Sequence, residues 1–354
     1  MDSLTQITLG AAVGEAVAGK QAGKRAMLWG GFLGTLPDLD VLITPFYSEV
    51  DALIIHRGFS HSILFTLLAT PLFGWLISRF GDKADSNCTR KRWSLMAFLV
   101  IGTHILLDSF TNYGTQVFNP FSHYPVAFNS IFIIDPLYTL PMLFSLIGAA
   151  ILKNRATGWN LNKWGLIISS SYLLLTLGVK AYVHQQFTHA LEENNIAYER
   201  LMTAPSPFNI LLWTGFADNN ETVHVGLFSI LDDNEPQRFQ AVSKNPELID
   251  DYRDDTPVQR LLWFSRGFYS VTQNPQTGKL YFHDLRFGRS DLWLTGSAPF
   301  SWSYELVMDE NRNQVTTFDQ SDPSFNMDRE ILAMFWKRML GEKPGEAKFT
   351  STTK

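Results

Sequence analysis

Apolar residues run together in the first half of the chain and alternate with polar ones in the second. A membrane span needs roughly 20 mostly apolar residues. Segments 62–80, 93–110, 130–152 and 164–183 meet that pattern, and 4–19 and 26–44 meet it more weakly, being rich in small residues. Gly10 and Gly14, and likewise Gly30 and Gly34, are spaced i,i+4. That spacing lets two helix backbones approach closely in lipid. The alternative for 4–19 is a buried or interfacial helix.

From 184 to 204 the pattern is that of a helix leaving the apolar region. Beyond Pro205 it becomes strand-like. Leu211 to Phe216, the turn signal Asp218-Asn219-Asn220-Glu221 and Thr222 to Ile230 read as a hairpin. A second hairpin is expected from Leu261 to Val271, through Asn274 to Gly278, and back from Leu280 to Phe287. A further strand is expected over Phe300 to Met308 and an amphipathic helix over 328–340. The predicted fold class is an α-helical multispan membrane domain, 1–185, followed by an α+β soluble domain, 186–342, containing a small antiparallel sheet. A polar tail, 343–354, is expected to be disordered.

Charge separates the halves further. Residues 1–189 hold thirteen Lys/Arg against ten Asp/Glu, a net +3, and residues 190–354 hold sixteen against twenty-four, a net −8. No basic patch points to nucleic acid. Cys88 is the only cysteine, so an internal disulfide is excluded and a cysteine-based zinc site is not expected. The start, with Asp2 and no basic region, lacks the pattern of a cleavable signal peptide.

Eleven of the thirteen basic residues in this half lie in alternate loops: Lys20, Lys24 and Arg25; Arg79, Lys83, Arg90, Lys91 and Arg92; Lys153, Arg155 and Lys163. The positive-inside rule makes these loops cytoplasmic. Segments 45–61, 111–129 and everything after about 184 then face the other side, which in a bacterium is the periplasm.

This topology gathers the candidate chemistry at one membrane face. Asp38 and Asp40 fall at the outer end of the second segment, and His56, Arg57 and His61 in the loop before the third. His104 and Asp108 fall at the outer end of the fourth, Asp2 and Gln6 at the start of the first, and Asp135 at the start of the fifth. Ionisable groups at the ends of membrane-length segments are costly and suggest function. His104 and Asp108 are spaced i,i+4, so a helix presents both from one face to a shared metal. The plain alternative is a His–Asp hydrogen bond between helices. Two unpaired carboxylates at Asp38 and Asp40 would repel each other, and a shared cation would relieve this.

Carboxylates with histidines suit Zn²⁺ or Mn²⁺ better than Ca²⁺. Asp38, Asp40, His56, His61, His104 and Asp108 make six potential ligands, so either two ions bind or some of the six orient the others or act as general base. Arg57 stays protonated; it could hold a phosphate or carboxylate, or orient Asp38 or Asp40. Glu15, inside the first segment, is a candidate partner of Arg57 or a proton carrier. For His224 and His283, in strand patterns, a structural hydrogen-bonding role is the expectation. Asp284 and Arg286 read as a surface or sheet-edge pair.

Met1-Asp2-Ser3-Leu4-Thr5-Gln6, Leu36-Pro37-Asp38-Leu39-Asp40, His56-Arg57-Gly58-Phe59-Ser60-His61-Ser62 and Thr103-His104-Ile105-Leu106-Leu107-Asp108 together resemble the YdjM/YfhP-type integral-membrane proteins. The resemblance extends over about 1–185, and the acidic second half resembles the C-terminal extension of longer members. It implies a membrane-bound, metal-dependent hydrolase. Many relatives carry His where Gln6 stands; if that histidine binds metal in them, this chain has one ligand fewer or uses Asp2 instead.

The functional expectation is an inner-membrane hydrolase with a periplasmic metal site, zinc or manganese, one or two ions. Asp38 or Asp40 would be the base and Arg57 would stabilise developing charge. Asp2, Gln6, Glu15 and Asp135 would support the site, and the partner would be a membrane lipid or lipid-linked substrate. A metal or proton transporter is one alternative, and a non-catalytic envelope protein with a structural metal another.

Overall fold

A computed structural model describes residues 1–81, 87–233, 238–309, 311, 313–321 and 328–342. The expected tail, 343–354, lies outside the described residues. The chain divides into two compact units. The first comprises Met1–Tyr47, Ile54–Gly178 and Pro207–Asn209, and the second Ser48–Leu53, Val179–Ser206 and Ile210–Lys354.

The first unit is helical: α1 (Ser3–Ala22), α2 (Arg25–Thr35), α4 (Ile63–Leu76), α5 (Arg90–Phe110), α6 (Pro136–Ile151) and most of α7 (Arg155–Glu193), while α3 (Glu49–Ile55) straddles the boundary. α1 and α2 pack backbone to backbone. A Cβ on Gly10 would lie 2.4 Å from the Gly30 carbonyl oxygen, and one on Gly30 would lie 2.3 Å from that of Gly10. The paired glycines therefore perform the close approach their spacing suggests. Trp93, Met96, Ala97 and Val100 of α5 fill the core between these helices.

By length and composition, Ile63–Gly81, Arg90–Phe110 and Arg155–Glu193 are long and apolar enough to cross a membrane. Arg25–Thr35 with Pro37–Phe46, bent by 48°, would make a fourth if counted as one span. Among the described residues this is fewer than the six segments of the hydropathy pattern. α6 has 16 residues, about 24 Å at 1.5 Å per residue, short of a bilayer core of about 30 Å. α1 is diluted by Gly, Thr, Gln and Glu.

The second unit holds two four-stranded antiparallel sheets where the hairpin pattern suggests one. The first runs β1 (Arg200–Pro205), β2 (Leu212–Asp218), β3 (Thr222–Ser229) and β4 (Phe239–Ser243). The second runs β5 (Tyr269–Gln273), β6 (Leu280–Asp284), β7 (Ser303–Asp309) and β8 (Gln314–Gln320). Both follow chain order, and Gly215 pairs with Gly226 in the β2–β3 hairpin. Without a Cβ, these two glycines leave room for Phe187 of α7. The expected strand from Leu261 begins instead at Tyr269, because Thr256–Phe264 is a helix, α8, with Pro257 in its first turn. α9 (Arg329–Met339) buries Ile331, Phe335 and Met339 against Leu212, Leu292 and Leu294.

Two other expectations resolve here. His283 is buried between two hydroxyls, Thr272 Oγ1 at 2.8 Å and Ser303 Oγ at 2.7 Å, a structural role. Burial, with Arg289 nearby, pushes its pKa down to about 4. Asp284 and Arg286 are not at the surface: both side chains are fully buried, paired at 2.9 Å, with the guanidinium beside Phe264 and Phe287. Val50 and Leu53 of α3 join the core of the second sheet, with Ile249, Val258, Leu261 and Val271.

Candidate metal centre

Pro37 lacks the N–H that an α-helix interior requires. α2 ends at Thr35, and Pro37–Leu42 forms a 3₁₀ turn. Three residues per 3₁₀ turn point Asp38 and Asp40 in different directions. The two carboxylates consequently serve different neighbours.

Asp38 faces α5. Its Oδ1 lies 3.3 Å from His61 Nε2 and 3.5 Å from His104 Nε2. Asp108 Oδ2, one turn beyond His104 on the same face of α5, lies 3.3 Å from His61 Nε2 and 3.6 Å from His104 Nε2. The two Nε2 atoms are 3.3 Å apart. Asp38, His61, His104 and Asp108 thus converge, with one ligand atom from each within 4.8 Å of all the others. This set could hold a metal ion. His61, His104 and Asp108 are buried, and Asp38 keeps about a quarter of its side chain exposed.

The outer nitrogens of both rings are occupied. His104 Nδ1 donates to the Gly34 carbonyl at 2.7 Å. His61 Nδ1 lies 3.0 Å from Ser60 Oγ and 3.4 Å from Asp40 Oδ2. In the neutral rings these partners hold the proton on Nδ1, and each Nε2 then turns a lone pair toward the other three ligand atoms. Such outer contacts set the tautomer of metal-binding histidines. Asp108 Oδ2 is buried with no hydrogen-bond donor, which is how a carboxylate poised for a cation would stand. Burial opposes charge on His61, yet Asp108, Asp38 and Asp40 outweigh it and push its pKa up to about 10. A proton on His61 Nε2 would therefore compete with any cation held by these four residues.

Asp40 organises the loop instead of joining the four. Its carboxylate accepts from the Arg57 backbone N–H at 2.8 Å and from Ser60 Oγ at 3.1 Å, and lies 3.1 Å from His56 Nδ1. His56 is one-third exposed and packs edge-on against Tyr113. Arg57 adopts φ 56°, a left-handed conformation that costs a non-glycine residue. The contacts of its N–H with Asp40, and of its carbonyl with the Gln116 N–H, hold it there. Gly58 is required next: a Cβ there would lie 2.7 Å from the Ile54 carbonyl oxygen. The Arg57 guanidinium is buried, donates to Thr111 Oγ1 at 3.0 Å, stands over Tyr113, and has Nε 3.4 Å from Asp108 Oδ2.

The supporting candidates separate. Gln6 donates to Asp108 Oδ1 at 2.9 Å, and the Met1 ammonium pairs with the same oxygen. Asp2 caps α1 through the Thr5 N–H, and Asp135 caps α6 through Leu137 and Tyr138 while accepting from the Tyr172 hydroxyl. Glu15 pairs with Arg155 at 2.7 Å, not with Arg57. Sequence reasoning missed Ser60, Thr111, Tyr113 and the Gly34 carbonyl. Ser60 at least lies inside the His-Arg-x-x-x-His motif; the others carry no local signal.

A family model described as "YdjM inner membrane protein" matches residues 1–187. The chain is also similar to "Uncharacterized protein YfhP" of Bacillus subtilis (strain 168), 27% identical over 207 residues. That match covers 54% of this chain and 60% of the relative, so the chain spans less than two thirds of the relative's length. No solved structure matches.

Proposed function

The chain belongs to the YdjM inner membrane protein family, and from that premise we propose that it is a multi-pass, metal-dependent hydrolase. Its site opens at the periplasmic membrane face and acts on a phosphoester or lipid-linked substrate. The alternation of basic loops supports this orientation, with the second unit in the periplasm.

One observation carries the reading: five of the six distances among the four ligand atoms run from 3.3 to 3.6 Å, and the sixth, Asp38 to Asp108, is within 4.8 Å. Zinc–ligand bonds of about 2.0–2.2 Å to N and O give a tetrahedron with edges of about 3.3–3.6 Å. The donor set, two imidazoles and two carboxylates, suits zinc, with manganese second. A single ion fits these four atoms. A bound divalent cation supplies Lewis acidity, acidifying water and polarising a phosphoryl oxygen.

The residues divide the remaining tasks. Asp38, the solvent-reachable carboxylate, accepts the proton. Asp40 already answers several donors and instead positions His61 and the loop. Arg57, fixed by Thr111 and Tyr113, offers its guanidinium edge to an anionic oxygen. A transporter would need polar groups through the membrane depth; Glu15, the deep exception, is committed to Arg155. A structural metal is the second reading. Four protein ligands around one ion would support it, whereas catalytic zinc keeps a position open. The partial exposure of Asp38 favours catalysis, since that ligand can move aside.

The test is metal analysis of detergent-purified protein, wild type beside His61→Ala, followed by hydrolysis of phosphodiester and phospholipid substrates with and without chelator. One zinc per wild-type chain and chelator-sensitive turnover support the hydrolase. Bound zinc with no turnover, and unfolding on chelation, would select the structural reading. Turnover that persists in metal-free Asp108→Ala would sink the proposal.

A further inference from the structure

Beside the ligand loop lies an open apolar groove of about 190 Å³. Ile63, Leu64 and Leu67 of α4 form one wall, and Val117, Phe118 and Phe121 the other. We infer that this groove holds a hydrocarbon chain of the substrate, so that the substrate is a phosphoryl lipid whose head reaches Arg57 and the His/Asp cluster. The inference rests on the proposed reading of that site and names its substrate class.

Continuity with the site comes first. Ile63 is two residues from His61. On the opposite wall, Val117 follows Gln116, whose N–H donates to the Arg57 carbonyl at 3.1 Å. Both walls therefore grow out of the loop that supplies the ligand and the guanidinium. From Ile63 to Leu67 the groove follows α4 for about one turn, 1.5 Å per residue, away from His61. A lipid with its head at the cluster would place its chain in that direction.

The chemistry of the lining selects the occupant. An extended protein segment would need backbone partners, but the Ile63 N–H and the Val117 carbonyl are spent on each other at 3.0 Å. The single polar lining residue, Asn119, is buried and donates to Gln116 Oε1 at 3.1 Å. What remains is apolar surface, half-exposed at Ile63, Leu67 and Phe118 and more so at Phe121. A chain of methylenes gains by covering such surface and asks for no hydrogen bonds.

The test uses zinc-loaded, full-length protein in phosphatidylcholine nanodiscs containing a phosphatidylglycerol with a mid-chain diazirine. Photolabelling is expected to concentrate on 63–67 and 117–121. Leu67→Trp, which fills the groove, should lower that labelling about tenfold, as expected when several buried methylenes are displaced, with metal content unchanged. Ile63→Trp, at the other end of the wall, should do the same and guards against one misfolded variant. Asp108→Asn should lose metal and keep the groove labelled. The groove and the hydrolase reading can therefore fail separately. Equal labelling of the exposed Leu72, Phe144 and Leu174, or labelling indifferent to both tryptophans, would mean surrounding lipid only and would overturn the inference.

Discussion

In the second unit, Asp284 and Arg286 are fully buried and answer each other with paired hydrogen bonds. Asp218 is buried too, and although burial opposes its charge, Arg200 and Lys244 hold its pKa below the ordinary carboxylate range. In the first unit, Asp38 and Asp108 turn oxygens toward two imidazole nitrogens that present lone pairs when the rings are neutral. Both regions take charge out of water, but one closes its circuits internally and the other converges acceptors on a point. Buried charge alone is thus a poor sign of function. Converging lone pairs, with their protons fixed on the far side of the rings, are a better one.

The sharpest way to break this contrast is Asp108→Asn. It should abolish stoichiometric metal binding, read by elemental analysis of the purified protein; a full complement of metal in the variant would show that the four atoms do not act together. Next in size, Asp284→Ala should destabilise the second unit by about 3–5 kcal/mol, since it strands a buried guanidinium. Denaturant unfolding would show this, with metal content unaltered; a loss of metal would blur the distinction between the two regions.

His283 gives a pH signature to the second unit alone. Its folded pKa of about 4 lies below the unfolded value of 6.5. The unfolded state therefore binds the proton first as pH falls from about 6.5 to 4, and stability is lost across that window, on the order of 3 kcal/mol in all. His283→Gln should flatten this part of the stability–pH curve, and an unchanged curve would assign the loss to other groups. The smallest effect is expected from Asp40→Asn. Weakening the partner that orients His61 should cost about 10–100-fold in metal affinity without abolishing binding. A loss as complete as that of Asp108→Asn would move Asp40 into the ligand set.

Six ligand candidates, Asp38, Asp40, His56, His61, His104 and Asp108, could be read from the chain because they lie within or beside apolar runs, where polar groups are expensive. Separating Asp38 from Asp40 could not be done that way. Their division of labour depends on the 3₁₀ turn after Pro37, and hydropathy does not distinguish 3₁₀ from α over six residues. His56 looked equivalent to His61 for the same reason; the left-handed Arg57 between them turns one ring inward and leaves the other part-exposed. In the second unit the β2–β3 hairpin was legible from its turn residues and its alternation. α8 was not, because nine residues with Pro257 at the start show too little of a helical period to outweigh Leu261-Leu262-Trp263-Phe264.

The excursion of Ser48–Leu53 into the second unit orders events during synthesis. Val50 and Leu53 emerge from the ribosome early, yet their apolar partners, from Ile249 to Phe318, are made much later. Domains made early usually finish folding first. Here Val50 and Leu53 are made long before the residues they pack against, so their burial has to wait for the far end of the chain.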